Sequence, residues 1–305
     1  MRSLSFFAAT HPPFQQMSVV PISAVIPAHV RVTALLRTLE RVIACSPAPA
    51  EILVHVDGAV AATRQAVTER FPGVKLLSSP TKRGPGGSRD LMIRAASHEW
   101  VASFDDDSFP DHNDFFARVM RDVTAHPDVA VFSSGYARPE ERSMPLRRVA
   151  VFSGCGCVYN RRWYLKTQGY VPREVAYGFE EVDVSLQLHA LGGTIMLDPG
   201  LNVLHDHPLT LPFPTPIIAG TVVNAVLFPW VRYPLALLPL GLLQAMRYAV
   251  KVGAGGHWPA LRRALSDLPE ALASYRAFRH PVPALAVISW LRLRRRTQPA
   301  QEWGR

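Results

Sequence analysis

WVASFDDD, residues 100–107, is the stretch from which the fold of this chain can be inferred. Its first part is almost wholly apolar, as in a strand that is buried on both faces of a sheet. Three aspartates then follow without a break, and neighbouring carboxylates repel one another unless a cation lies between them. A hard divalent cation with oxygen ligands would suit the triple, although a solvated turn would accommodate it too. The stretch therefore predicts a buried strand that ends at a cation site or at a polar turn.

The segments around this strand alternate between two periodicities. Short apolar runs are typical of buried strands, and apolar residues at every third or fourth position are typical of helices. The alternation predicts an α/β fold with a mainly parallel sheet and helices on both faces. Ligands of such sheets bind beyond the carboxyl ends of the strands, where Asp57 and residues 105–107 fall. The predicted strands are 22–27, 51–56, 74–77, 100–104, 129–133, 149–152, 194–197 and 201–204, and the predicted helices are 32–42, 60–70, 84–97, 114–125, 161–167 and 180–191.

Composition and charge narrow the class of protein. The 305 residues are 48% hydrophobic and 19% charged, so a sizeable core can form and a mainly disordered chain is excluded. Three cysteines are too few for a disulfide framework and indicate a reducing cytosol. The first residues make a poor signal peptide, and Met17 could be the true start. The net charge of +9 belongs to the tail, because residues 251–305 hold ten of the 33 Lys and Arg but three of the 24 Asp and Glu.

The C-terminal third predicts a separate helical region. Residues 217–231 and 233–246 carry no charge, but prolines and the charge at 232 keep either run short of a comfortable membrane span. We expect a helical hairpin in the membrane interface, and the alternative is a pair of core helices. The basic cluster at 292–296 favours an anionic lipid surface, which would place the protein in the cytoplasm, peripheral at the inner face of the membrane. The side chains expected at headgroup level are Trp230, Arg232, Tyr233 and Arg247.

A glycine-rich basic loop precedes the predicted helix at 84–97. It reads Arg83-Gly84-Pro85-Gly86-Gly87-Ser88-Arg89-Asp90. Its glycines would let a ligand approach the backbone closely, and a helix N-terminus favours an anion such as phosphate. The loop lacks the Gly-Lys-Ser/Thr of a P-loop and the spacing of a dinucleotide-binding fingerprint, and Pro-Gly also marks an ordinary turn. A phosphate contact of another type is therefore the functional interpretation.

Two further polar motifs lie in the second half of the chain. Gly178-Phe179-Glu180-Glu181-Val182-Asp183 opens a predicted helix, where acidic side chains either complement the helix dipole or supply a general base. His205-Asp206-His207 follows the strand at 201–204, and a neutral imidazole is a ligand for a transition metal. Either motif alone also fits a structural role. The acidic helix start and the aspartate triple together favour one shared site.

Taken in order, these motifs resemble those of the inverting GT-A glycosyltransferases of family 2. The resemblance covers about residues 20–207 and implies a GT-A-like domain at 20–210, between an N-terminal extension at 1–19 and the helical region at 211–305. It implies transfer of a hexosyl or deoxyhexosyl group from a nucleotide-diphospho-sugar, with a divalent metal (Mg or Mn). The interfacial C-terminal region points to a glycan or lipid-linked acceptor, such as a cell-envelope glycan. The matching stretches are Val25-Ile26-Pro27, Val56-Asp57-Gly58, residues 83–90, residues 105–107 and GFEEVDVSL at 178–186.

The resemblance also implies a role for each matching residue. Glu181 would be the general base, with Asp183 as a second acidic position of the catalytic helix. Asp107 and His205 would hold the metal. Donor contacts would come from Pro27, Asp57, Arg83, Gly84, Arg89, Asp105 and Asp106. The acceptor side would include Gly154, Cys155 and Glu180.

Three positions depart from the family pattern. After Pro27 the chain continues Ala28-His29-Val30-Arg31, where the family more often has a polar Tyr/Asn-type continuation. Asp90 replaces an asparagine, and Glu181 replaces an aspartate. A sugar nucleotidyltransferase would carry a glycine-rich basic loop directly after the first strand, so this continuation argues against that class. A non-catalytic nucleotide-sugar-binding module at a membrane surface is the remaining alternative, and no nucleic-acid recognition module is visible.

Overall fold

The computed structural model describes residues 18–58, 60–135, 142–173, 178–206 and 213–297. The suggested start at Met17 and the domain boundary at 210 lie outside these ranges, and the first strand begins at Val19. The strands are β1 Val19–Ala28, β2 Ala48–Val56, β3 Lys75–Ser78, β4 Trp100–Ser103, β5 Ser108–Pro110, β6 Val131–Gly135, β7 Arg147–Val149, β8 Cys157–Asn160 and β9 Ile195–His205. The helices are α1 Val32–Ile43, α2 Ala61–Arg70, α3 Gly84–Ala95, α4 Phe115–Ala125, α5 Arg161–Tyr164, α6 Glu180–Ala190, α7 Thr215–Arg232, α8 Leu238–Ala254, α9 Trp258–Ser274 and α10 Ala284–Thr297.

Among the described residues, nine strands form one sheet in the order β3-β2-β1-β4-β8-β6-β9-β5, with β7 beside β9. The first four strands pair in parallel, as the alternation of strands and helices predicts, and β6 is parallel to β9. β8 runs antiparallel to β4 and β6, and both β5 and β7 run antiparallel to β9. The sheet is therefore mixed. A parallel strand requires a crossover connection, usually a helix, and no helix is described in the connections that lead into β5, β7 and β8.

The second half of the sheet differs most from the sequence-based assignment. The two strands predicted at 194–197 and 201–204 are the single strand β9, which continues through Pro199 and Gly200. The strand predicted at 149–152 is β7 and ends at Val149. β5 and β8 were not predicted, because runs of three and four residues are too short to show a periodicity.

Helices cover both faces of the sheet, which confirms the α/β fold. On one face, α1 and α4 bury apolar side chains such as Leu35, Leu39 and Phe116 against β1 and β4. On the other face, α3 and α6 contribute Met92 and Leu188 to a second core with β6 and β8. The helical spacing of Leu35, Leu39 and Val42 places one stripe of α1 against the sheet.

The C-terminal helices pack on the α/β domain and on one another. Trp290 of α10 is buried, and its indole N–H donates to the Ala150 carbonyl oxygen at 2.9 Å. Thr215–Arg232 and Leu235–Ala254 are long and apolar enough to cross a membrane by length and composition alone, but 56% of the first is buried in the protein against 17% of the second. Arg232 and Tyr233 are fully buried, so the prediction that they lie at headgroup level is wrong. The buried carboxylate of Asp183 holds Arg232 inside the protein.

Candidate active site

The polar motifs meet at one edge of the sheet. β1, β2 and β4 run in parallel. β6 has the same direction as β4, because both are antiparallel to β8, and β9 is parallel to β6. Their carboxyl ends, together with the amino end of the antiparallel β8, therefore lie on one side. The Gly156 N–H donates to the Ser103 carbonyl at 2.6 Å, and the Asp206 N–H donates to the Asp107 carbonyl at 2.9 Å. This arrangement brings residues 105–107, residues 154–156 and His205 together.

Asp57 fixes the glycine-rich loop at the start of α3. Its Oδ1 accepts a hydrogen bond from the Arg83 N–H at 2.8 Å, and its Oδ2 accepts one from the Gly84 N–H at 2.9 Å. Gly84 has a φ of +72°, a conformation that glycine adopts without strain. Asp57 thus supplies the negative charge that the helix N-terminus favours. Oδ1 also accepts a hydrogen bond from the Ser79 hydroxyl at 3.3 Å, so Oδ2 is the oxygen with a lone pair left for contact with a donor base.

Arg31 lies on the aspartate triple. Its guanidinium forms ion pairs with both Asp106 and Asp107, and it comes from the segment in which this chain departs from the family pattern. Burial raises the pKa of Asp106 to about 6, although Arg31 opposes this shift. Burial also acts to raise the pKa of Asp107, but contacts with His205 and Arg31 outweigh it and leave that pKa below its usual value. The chain's own cation therefore neutralises part of the triple.

Asp105, Cys155 and His205 form a group that could hold a metal ion. One ligand atom from each lies within 4.8 Å of the other two, and Cys155 Sγ is 3.2 Å from His205 Nε2. Carboxylate, thiolate and imidazole are all metal ligands, so these residues fit a divalent cation. Hydrogen bonds to Asp107 and then to Cys155 raise the pKa of His205 to about 10. A cation at Nε2 would have to displace the proton there. Asp107, which the resemblance implies as a ligand, is outside this group.

Arg89 connects the aspartate triple to the acidic start of α6. Its side chain is only 4% exposed and forms an ion pair with Asp105. Its Nε donates to the Ser103 hydroxyl oxygen at 3.1 Å, and its Nη1 lies 3.8 Å from Glu181 Oε1. A buried guanidinium of this kind holds two carboxylates at a fixed separation. Arg89 is therefore placed to position Asp105 and Glu181.

The side chains of Glu181 and Glu180 lie in different surroundings, one beside Gly154 and the other under α3. A Cβ added to Gly154 would lie 2.3 Å from Glu181 Oε1, so the Glu181 carboxylate packs directly on that glycine. Burial raises the pKa of Glu181, opposed by Arg89. Glu180 is buried under α3, where its Oε1 has no hydrogen-bond partner among the described residues and lies 3.1 Å from a Cβ built on Gly86. Burial and then the charge of Glu181 raise the pKa of Glu180. Glu181 is the carboxylate beside the site, whereas Glu180, expected on the acceptor side, faces the interior.

Asp183 is engaged by the C-terminal region. Both of its carboxylate oxygens accept hydrogen bonds from Arg232 of α7, one through Nε and the other through Nη2 at 3.1 Å. The side chains of Arg232 and Asp183 are 0% and 3% exposed. Gln168 accepts a further hydrogen bond from Arg232, and Gln187 donates to Asp183 at 3.3 Å. This pair fastens the first turn of α6 to α7.

Several residues of the site region were not singled out from the sequence. Pro27, which was predicted as a donor contact, is buried in β1 opposite His55, whereas His29 and Arg31 just beyond it reach the site. The His29 ring donates from Nδ1 to the Asp57 carbonyl oxygen at 2.6 Å. Arg173 is buried, and its guanidinium carbon lies 5.6 Å from the centre of the Tyr275 ring. The unusual continuation at 28–31 was a signal for Arg31, Arg173 carried no signal, and Arg232 was predicted at headgroup level instead of beside Asp183.

Comparison with known proteins gives a family and a fold. The profile of glycosyl transferase family 2 matches residues 23–180, which is more than half of the chain. No curated protein sequence matches. The mannosyltransferase PcManGT from Pyrobaculum calidifontis, solved with GDP-Man and Mn²⁺, shares 14% identity at a TM-score of 0.55, with 90% of this chain and 86% of that chain covered. GalNAc-T7, solved with UDP, GalNAc and Mn²⁺, shares 17% identity at a TM-score of 0.56, with 72% of this chain and 49% of that chain covered.

These similarities agree with the architecture of the site edge. The profile spans the sheet from β1 to the start of α6, and therefore includes the loop at 83–90, the aspartate triple and the first acidic residue of α6. The two solved structures are GT-A glycosyltransferases, and at this level of identity they show the fold. The chain therefore belongs to glycosyl transferase family 2, as a glycosyltransferase with the GT-A fold.

Proposed function

We propose that this protein is an inverting, metal-dependent glycosyltransferase that moves a hexosyl or deoxyhexosyl group to a hydroxyl of a glycan or lipid-linked acceptor. The observation that carries the proposal is Arg89, whose guanidinium pairs with Asp105 and lies 3.8 Å from Glu181 Oε1. A carboxylate of raised pKa beside the donor edge has the properties of a general base. The ligands in the solved structures of PcManGT and GalNAc-T7 support a nucleotide-diphospho-sugar donor and a divalent metal.

The proposed reaction is a single displacement. Glu181 accepts the proton of the acceptor hydroxyl, and the acceptor oxygen forms a bond to the anomeric carbon from the face opposite the leaving group. The bond from that carbon to the diphosphate oxygen breaks, and the nucleoside diphosphate leaves with the electron pair. A divalent cation, when bound, would stabilise the negative charge of the diphosphate. Arg89 holds the carboxylates of Glu181 and the donor-side Asp105 at a fixed separation during the reaction.

The other site residues have supporting roles in this proposal. Asp57 orders Arg83 and Gly84 for contact with the nucleotide, and Asp106 contributes to the donor side through its pair with Arg31. Gly154 leaves room for the Glu181 carboxylate. Asp183 is assigned a positioning role instead of a catalytic one, because its carboxylate is committed to Arg232.

We also propose that α8 holds the protein on an anionic membrane surface. Leu242, Met246 and Val250 repeat every four residues and are 55%, 58% and 66% exposed, so they form an apolar stripe that faces away from the protein. Arg247 and Lys251 are exposed on the same helix. Each basic residue near an anionic surface contributes about 1 kcal/mol to binding. The protein would then be peripheral at the inner face of the cytoplasmic membrane, and the three buried cysteines are consistent with a reducing compartment.

Transfer assays with Glu181→Gln test the catalytic proposal. Purified protein would be incubated with Mn²⁺, labelled UDP- and GDP-sugars and a bacterial lipid extract, and donor binding would be followed by the melting temperature. We expect Glu181→Gln to lose transfer by at least about 100-fold while the donor still raises the melting temperature. Glu180→Gln is the matched control and should retain transfer. Wild-type turnover in Glu181→Gln, or donor binding without any transfer by the wild type, would contradict the proposal.

Vesicle sedimentation tests the membrane proposal separately. The protein should bind vesicles that contain phosphatidylglycerol and should bind pure phosphatidylcholine vesicles weakly. Met246→Glu should reduce binding, because it places a charge in the centre of the stripe. Leu191→Glu is the control, since Leu191 is an exposed leucine at the end of α6 and outside the stripe. Equal binding of Met246→Glu and the wild type would show that α8 is not the contact surface.

A further inference from the structure

The residue that precedes α6 has a strained backbone. Phe179 has a φ of +72°, and among the residues that the structure describes no other non-glycine residue has a positive φ. A side chain with a Cβ is disfavoured in this left-handed conformation and persists there only where its surroundings hold it. The Phe179 carbonyl oxygen accepts a hydrogen bond from the Asp183 N–H at 2.9 Å, the first main-chain bond of α6. The conformation of Phe179 therefore sets the direction in which α6 begins.

Aromatic rings of two C-terminal helices hold the Phe179 side chain. The centre of its ring lies 6.1 Å from that of Phe228 in α7 and 6.1 Å from that of Tyr248 in α8, and the second pair meets edge to face. Phe228 is 4% exposed and is packed in turn by Tyr233 and Trp290, with ring centres 5.6 and 6.0 Å away. Aromatic pairs at such separations stabilise a fold beyond the area that they bury. The two helices thus fix the ring of Phe179, and the fixed ring keeps its backbone in the left-handed conformation.

The position of the Glu181 carboxylate depends on this first turn of α6. The carboxylate accepts a hydrogen bond from the Glu181 main-chain N–H, lies 3.8 Å from Arg89 Nη1 and packs on Gly154. The direction of that N–H follows from the backbone angles of Phe179 and Glu180, which precede it. A misplacement of a catalytic group by about 1 Å can cost about 100-fold in rate. Release of Phe179 from its left-handed conformation would therefore move the Glu181 carboxylate away from its place beside Gly154.

Tyr248 lies on the face of α8 that is turned away from the apolar stripe. An α-helix turns by about 100° per residue, so Tyr248 lies roughly 160° around the helix from the centre of the stripe at Leu242, Met246 and Val250. Tyr248 is half-buried, whereas the side chains of the stripe are exposed. Contact with Phe179 and contact with a membrane surface can therefore be removed separately by substitution.

We propose that Phe179, held between Phe228 and Tyr248, is a positioning residue for Glu181, and that α7 and α8 thereby take part in catalysis. The inference rests on the proposed function, in which Glu181 is the general base. Phe179 exchanges no proton; it fixes the point from which Glu181 accepts the proton of the acceptor hydroxyl. The aromatic contacts give the C-terminal helices a role in the reaction that is separate from binding a membrane surface.

Kinetics of Tyr248→Ala test the proposal, because Tyr248 contacts Phe179 from α8. With the sugar nucleotides, Mn²⁺ and lipid extract of the transfer assay, we expect kcat to fall at least about tenfold while the KM for the donor stays within about twofold of the wild type. Tyr248→Phe keeps the ring and should restore kcat. Phe278→Ala is the matched control and should keep wild-type kcat, because the ring of Phe278 pairs with Tyr275 at 5.9 Å. Tyr248→Ala should bind phosphatidylglycerol vesicles as the wild type does.

A double variant shows whether Tyr248 acts through Phe179. Phe179→Gly removes the ring but leaves a residue that adopts a positive φ without strain, and it should lose at least as much kcat as Tyr248→Ala. Because the ring is then already absent, Phe179→Gly combined with Tyr248→Ala should lose no more kcat than Phe179→Gly alone. Wild-type kcat in either single variant, or losses that multiply in the double variant, would overturn the proposal.

Hydrogen exchange, followed by mass spectrometry of peptides across 179–190, tests the same contact without a substrate. The Asp183 N–H that is bonded to the Phe179 carbonyl should exchange at least about tenfold faster in Tyr248→Ala than in the wild type, and Phe278→Ala should match the wild type. Equal exchange in Tyr248→Ala and the wild type would overturn the positioning of α6 by Phe179. Absence of transfer by the wild type would instead contradict the proposed function, and the exchange rates would still decide whether α7 and α8 hold the start of α6.

Discussion

Replacement of Arg232 by Met should destabilise the whole protein. Arg232 and Asp183 are 0% and 3% exposed and bonded through two pairs of atoms, with Gln168 and Gln187 completing the network. Removal of the guanidinium leaves a buried carboxylate without its ion-pair partner, and such a loss costs about 3–5 kcal/mol. For a chain of 305 residues that corresponds to a fall in melting temperature of roughly 5–8 °C.

A double-mutant cycle measures this pair directly. Urea unfolding of the wild type, Arg232→Met, Asp183→Asn and the double variant would give the coupling free energy, which we expect to be at least about 1 kcal/mol. Arg247→Met is the control, because Arg247 is exposed on α8 and its replacement should change stability by less than about 0.5 kcal/mol. If Arg232→Met unfolded at the wild-type urea midpoint, the burial of Arg232 against Asp183 would be refuted.

The Gly154→Ala substitution would place a Cβ 2.3 Å from Glu181 Oε1 and should lower kcat at least about tenfold. Gly73→Ala is the control and should leave kcat unchanged, because a Cβ at Gly73 meets nothing within 4 Å. Equal kcat values for the two variants would refute the contact between Gly154 and Glu181. Because burial raises the pKa of Glu181 and the base must be ionised, kcat/KM should rise with pH through an apparent pKa above the usual value of about 4.3. A profile already flat at pH 5 would contradict this. Burial also raises the pKa of Glu180, so the folded state binds its proton more tightly than the unfolded state, and that stability is lost as pH rises through the folded pKa. Urea midpoints should therefore show Glu180→Gln gaining stability relative to the wild type between pH 5.5 and 8, and a constant difference would refute the shift.

The parallel half of the fold could be predicted because its signals are local. Apolar strands such as Trp100–Ser103 end abruptly at polar residues, and the helices between them have clear apolar spacing. β8 could not be predicted in the same way, since its four residues are buried on account of neighbours far away in the sequence. β9 was divided in two because Pro199 and Gly200 are ordinarily turn residues. In the structure the strand continues past them, and its pairing with β6 shifts register there, from Asp198 to Asn202.

The site was predicted as a set of residues but not as a network. Asp57, Glu181 and residues 105–107 were found from motifs, because each follows or precedes a regular element in a recognisable pattern. Which carboxylate meets which cation depends on three-dimensional packing, so the pairs of Arg31 with Asp106 and of Arg232 with Asp183 were not predicted. The uncharged run at 217–231 was interpreted as lying in the membrane interface. In the structure it belongs to α7, which packs inside the protein because Arg232 at its end pairs with the buried carboxylate of Asp183.

The anomeric configuration of the transferred sugar tests the central claim most directly. Product formed by the wild-type protein from an α-linked nucleotide sugar would be analysed by NMR, in which the one-bond coupling constant between the anomeric carbon and its proton identifies the linkage. A single displacement assisted by Glu181 predicts a β-linked product. An α-linked product would contradict the proposed mechanism, because retention of configuration cannot arise from one attack on the face opposite the diphosphate.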